Sequence, residues 1–246
     1  MTPLLLSLAL QAAGPPAPTP EARYDQCVDA ATGDPAAGER IAGQWRLAGG
    51  GFLARQCLGM SYATRGRWAA AADAFEQAAR EAEVAKDARA ANYWAQAGNA
   101  RLAEGNLTAA AGALDAALAG ATLTGLARGE VQLDRARVRV AANDLAGARG
   151  DIDRALKDAP ADPLAWLLSA TLARRMNDLP RARTDIAEAL RRSADDPSVQ
   201  LEAGNIAGLS GDMAGARAAF EAVGRLSPGS PQAQAAETAL ATLPTG

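Results

Sequence analysis

Cys57-Leu58-Gly59-Met60-Ser61-Tyr62, then Arg65-Gly66-Arg67-Trp68, then Ala71, Phe75 and Ala78 form the stretch that decides the fold. Ala71, Phe75 and Ala78 stand at i, i+4 and i+7, so they share one face of a helix. Two small residues flanking a bulky one let a facing helix come close while the ring fills the gap. Gly59, before the turn, serves the same contact from the other side. Gly66 tolerates a left-handed backbone and suits the end of a helix.

The pattern recurs along the chain. Gly59, Gly98, Ala136, Ala170 and Gly204 are separated by 39, 38, 34 and 34 residues. Twelve residues after each comes an alanine: Ala71, Ala110, Ala148, Ala182 and Ala216. Four further on stand Phe75, Leu114, Ile152, Ile186 and Phe220, and three beyond those Ala78, Ala117, Ala155, Ala189 and Val223. Glu104-Gly105-Asn106-Leu107, Asn143-Asp144-Leu145, Asn177-Asp178-Leu179 and Ser210-Gly211-Asp212-Met213 supply the later turns. A single helix pair cannot bury such a face alone, so a fixed period predicts stacked pairs.

On these residues the chain resembles the tetratricopeptide repeat, a 34-residue unit with a W-x2-L-G-x2-Y … A-x3-F … P pattern. Trp94 and Trp166 take the tryptophan place, and Pro160 and Pro228 fall where a repeat ends. The resemblance implies an all-α, right-handed superhelix. Its units span 52–87, 91–124, 129–160, 163–196 and 197–228. A degenerate first unit covers 21–49, with Ala37, Ile41 and Trp45 as its packing face, and a capping helix covers 231–243. The 39 and 38 spacings imply longer second helices or longer turns after the first two units.

Composition agrees with helix. Ala, Leu and Arg are abundant, hydrophobic residues make up 49% and charged residues 22%. Net charge is −3, and neither half holds a single-sign surplus (10 basic against 12 acidic groups in 1–123, 15 against 16 in 124–246). A nucleic-acid partner is therefore not expected. The Arg-rich runs Arg135–Arg139 and Arg181–Arg192 read as solvated helix faces. The chain has no histidine, which removes the commonest general base and zinc ligand. No phosphate loop, nucleophile motif or metal-spaced ligand set is present, so neither catalysis nor a cofactor is expected.

Residues 1–13 carry no charged side chain, and Leu4–Leu10 is a short apolar core followed by small residues. This is similar to a secretory signal peptide, and it is too short to span a bilayer. A Pro-rich linker, 14–20, follows. The expected location is the periplasm or the exterior; the alternative is a cytoplasmic chain with a frayed tail. Cys27 and Cys57 form a disulfide if the chain is exported; otherwise they are two buried thiols.

In the tetratricopeptide family the first helices line a concave groove that holds a peptide or a partner's helix. Matching places here are Met60, Asn92, Asn99, Arg137, Thr171, Arg174 and Asn205. The lysine places of chaperone-docking members hold Gln56, Ala95, Leu133, Leu167 and Leu201; the leucines read as ordinary packing residues or, as the alternative, as an apolar stripe in the C-terminal half. The resemblance implies a protein or peptide partner and a scaffolding role. The competing readings are a self-assembling solenoid and, less favoured, an enzyme.

Overall fold

The computed structural model describes residues 18–244. The signal-peptide reading of 1–13, and the linker up to residue 17, lie outside them.

Among the described residues there are thirteen helices and no strand. Seven are first helices of hairpins or the terminal cap: α1 (Pro20–Gly33), α3 (Gly51–Thr64), α5 (Ala90–Glu104), α7 (Gly125–Ala141), α9 (Pro163–Arg175), α11 (Pro197–Leu209) and α13 (Pro231–Thr242). Six are second helices: α2 (Pro35–Leu47), α4 (Trp68–Val84), α6 (Leu107–Ala119), α8 (Leu145–Asp158), α10 (Leu179–Arg192) and α12 (Met213–Leu226). Each helix packs on the next in chain order. The architecture is an all-α solenoid. Pro20 belongs to α1 and not to the linker, because Thr19 caps the helix and proline suits its first position.

The turns follow one chemical plan. Gly66, Gly105, Asn143, Asn177 and Gly211 stand five residues before their repeat alanines and all have positive φ, between 59° and 88°. Glycine adopts that conformation freely and asparagine tolerates it. In four of the five, the residue after the next-to-last turn position caps the second helix: Asn106, Asp144, Asp178 and Asp212 accept from backbone N–H groups three residues on.

The small residues sit where helices meet. Ala71, Ala78, Ala110, Ala117, Ala148, Ala155, Ala182, Ala189 and Ala216 are fully buried, and Phe75, Leu114, Ile152, Ile186 and Phe220 are buried between them. A Cβ added to Gly59 would stand 2.6 Å from the Phe75 ring, and one on Gly98 would stand 2.5 Å from Leu114. Gly204 faces Phe220 in the same way. Where the small residue is alanine, at 136 and 170, the facing residue is isoleucine, whose shape leaves room for the methyl group.

Two expectations need correction. The buried face of α2 is Gly38, Ala42 and Trp45, while Ile41 is 39% exposed, so the first hairpin is one residue out of the expected register. A Cβ at Gly38 would meet the Ala31 backbone at 2.7 Å, so only glycine lets α1 lie that close. The long spacings have two different sources. The first comes from a long second helix, α4, with 17 residues against 14 in α10 and α12. The second comes from a long first helix, α7, with 17 residues against 13 in α9. The leucines take the packing reading: Leu133 is 2% exposed in the core, and Leu167 and Leu201 pack against core clusters.

Charged residues also enter the stack. Asp151 is fully buried and meets Arg135, Arg139 and Arg154. Asp153 and Asp185 meet Arg181, and Ser169 donates to Asp185. Arg135 and Arg181 are thus inter-helix ties and not members of solvated faces. Arg192, by contrast, lies over the Trp166 ring at 5.1 Å.

Cys27 on α1 and Cys57 on α3 are fully buried with their sulfur atoms at bonding distance, 1.95 Å. No helix of the described residues is long and apolar enough to cross a membrane.

Candidate groove for a polypeptide partner

First helices of successive units touch in five places: α1 with α3, α5 with α7, α7 with α9, α9 with α11, and α11 with α13. No pair of second helices packs comparably. A layer whose neighbours touch is shorter than one whose neighbours do not. The first helices therefore form the inside of the curve.

One junction of that inner layer is looser than the others. The backbones of α3 and α5 approach less closely, and their side chains bridge the space, with the Phe52 and Tyr93 rings 6.0 Å apart, while the long α4 packs extensively on α5. A cavity of about 370 Å³ opens there, walled by α1, α3, α5 and the start of α7. Its lining is polar and ordered by hydrogen bonds across helices. The Tyr24 hydroxyl donates to Gln56 Oε1 at 2.8 Å, and Gln56 Nε2 donates to Gln96 Oε1 at 3.3 Å. Asn99 Nδ2 donates to Asp134 Oδ2 at 2.7 Å. Burial pushes the Asp134 carboxyl up, opposed by that hydrogen bond and by Arg137. Arg89 is held by both oxygens of Asp87, and this hydrogen-bonded pairing lowers Asp87 to about 2. Burial raises Tyr93 to about 12, so its hydroxyl keeps its proton. That hydroxyl is buried and has no hydrogen-bond partner.

Further along the inner layer, a slot of about 130 Å³ lies between α7, α8 and α9. Ile152, Leu168 and Leu172 form its apolar floor, with Arg137, Thr171 and Arg175 beside it.

The expected groove residues divide accordingly. Asn92 and Asn99 line the larger cavity, and Arg137 and Thr171 line the slot. Arg137 is 57% exposed and pairs with Asp134, three residues earlier, at 3.2 Å. Met60 packs against two core clusters. Arg174 is paired through Nε with the buried Glu202 at 2.6 Å, and Asn205 approaches the same carboxylate at 3.5 Å. Both side chains thus meet Glu202 within the stack, and each remains partly exposed. Sequence reasoning missed Tyr24, Gln96, Glu130 and Asp134 as groove residues. Glu130 and Asp134 are spaced i, i+4, a signal for a shared helix face that was available.

The tetratricopeptide repeat family model matches residues 133–175 and 167–231. No curated protein sequence matches the chain. Among solved structures, the chain is similar to PilW, described as a widely conserved type IV pilus biogenesis factor. The identity is 16% and the TM-score 0.73, over 87% of this chain and 96% of that one. It is also similar to PilF of Pseudomonas aeruginosa, with 16% identity and a TM-score of 0.69, over 89% and 99% of the two chains. YrrB, described as having an unusual peptide-binding site, gives 16% identity and a TM-score of 0.54, over 75% and 91%. At these identities the likeness is one of fold. The segment 133–231 is thus built of tetratricopeptide repeats, and the hairpins upstream continue the same fold with the same buried alanines and the same left-handed turns.

Proposed function

We propose that the protein is a non-catalytic interaction module that holds a segment of another polypeptide along its inner layer of first helices. The observation that carries this reading is the unfilled space on that layer: a polar cavity and an apolar slot, both walled by ordered helices. Rigid walls keep the ordering cost of binding low. Polar groups with both donors and acceptors suit a peptide backbone. The cavity lining offers tyrosines, amides, carboxylates and one paired arginine, with no nucleophile–base pair.

The terminal helix supports binding over end-to-end stacking. α13 buries Ala233 and Ala236 and turns Gln234, Glu237 and Thr238 outward. A polar outer face closes a solenoid end. The apposed Cys27 and Cys57 support an oxidising compartment, where they form a disulfide, and the apolar 1–13 segment supports export.

A photo-crosslinking amino acid placed at Asn92 or Thr171 is expected to trap a partner chain in cells, whereas one at the exposed Lys157 on α8 is not. Equal trapping at all three positions, or trapping at Lys157 alone, would refute the groove. N-terminal sequencing of the mature chain tests export.

A further inference from the structure

The larger cavity is more specific than a general groove. Glu130 and Asp134 line it from one face of α7. Like charges at this spacing repel. Glu130 takes part in none of the ion pairs among the described residues, and Asp134 has only the exposed Arg137. The positive group in the lining, Arg89, is already held by Asp87 at 2.6 Å. The cavity therefore carries uncompensated negative charge. Independently, Tyr93, itself almost wholly buried, lines this cavity, and its hydroxyl has no hydrogen-bond partner, where such groups ordinarily find one. Beside them, Gln56, Asn92, Gln96 and Asn99 form an amide row across α3 and α5.

Resting on the groove reading, we propose that this cavity receives a lysine or arginine side chain of an extended polypeptide, with the cationic head at Glu130 and Asp134 and the backbone along the amide row. Carboxylates accept charge-assisted hydrogen bonds from a guanidinium or ammonium. Amide side chains, donors and acceptors at once, match the alternating groups of a backbone. An acidic ligand is disfavoured by the same two carboxylates. A free small cation would satisfy Glu130 and Asp134 but leave the amide row without a ligand.

The test uses the full mature chain and fluorescein-labelled peptides of glycine, serine and alanine with one central arginine, glutamine or glutamate. Fluorescence anisotropy is expected to show the arginine peptide binding about tenfold more tightly than the glutamine peptide, with the glutamate peptide weakest. Glu130 is exposed, so E130K folds, which circular dichroism checks; the arginine preference is expected to vanish in it. D134N is expected to weaken the preference. If all three peptides bind alike, or E130K keeps the arginine preference, this inference is wrong while the groove stands. If no peptide binds at all, the groove reading falls with it. Displacement by free arginine amide at the peptide's own concentration would overturn the polypeptide ligand in favour of a small cation.

Discussion

Arg135 on α7 grips the fully buried Asp151 on α8 through two hydrogen bonds, Nε to Oδ2 at 3.0 Å and Nη2 to Oδ1 at 2.6 Å. Its remaining arm reaches Asp115 on α6 at 2.6 Å. One guanidinium thus ties two successive hairpins. Removing one member of a buried pair strands the other's charge. D151N is expected to lose about 3 kcal/mol of stability, because Arg135, Arg139 and Arg154 would keep their charges without the carboxylate. Urea unfolding measures this; a loss indistinguishable from that of a surface variant would show the pairing to be ornamental.

The glycine–phenylalanine contact gives a second expectation. G204A places a methyl group against the Phe220 ring and should cost about 1–3 kcal/mol by overpacking. The repeats at Ala136 and Ala170 already pair alanine with isoleucine. The double variant G204A/F220I should therefore recover most of the loss relative to F220I alone. A double-mutant cycle with no coupling would show that the two positions do not sense each other.

Asp134 is expected to be a stability liability. Burial raises its folded-state value above that of the unfolded chain, so the folded form takes up the proton more readily. The ionised carboxylate then destabilises the fold above the folded-state value, and the penalty is gone below the unfolded value. D134N should raise the melting temperature at neutral pH, with the gain shrinking in acid. A lower melting temperature at neutral pH would mean that Asn99 and Arg137 outweigh burial.

Cys27 and Cys57 are 30 residues apart in sequence, and joining them restrains the unfolded chain. Replacing both by serine is expected to cost about 3–4 kcal/mol relative to the oxidised protein in the chain-entropy model. Two titratable thiols in unreduced protein from its native compartment would exclude the bond.

Much of the solenoid is legible in sequence because its determinants are local. Ala71, Phe75 and Ala78 declare their face by spacing, and Gly66 and Asn143 declare their turns by backbone tolerance. The first hairpin is harder. Ala37 and Gly38 are both small, and only the approach of Ala31 and Ser61 decides between them. Arg135 and Arg174 look like surface residues until Asp151 and Glu202 are placed opposite them in space. The groove residues were half legible for the same reason. Asn92 and Asn99 follow from repeat register, whereas the cavity they line depends on the looser separation of the α3 and α5 backbones, bridged by side chains.

That separation sets this chain apart from an ordinary array. Tandem units are usually interchangeable, and evolution lengthens or shortens such proteins by copying and deleting them. Here the seam bounded by the extended α4 and α7 has no duplicate among the described residues. Shuffling a 34-residue module from the regular C-terminal portion into that seam would preserve a continuous stack and erase the recess.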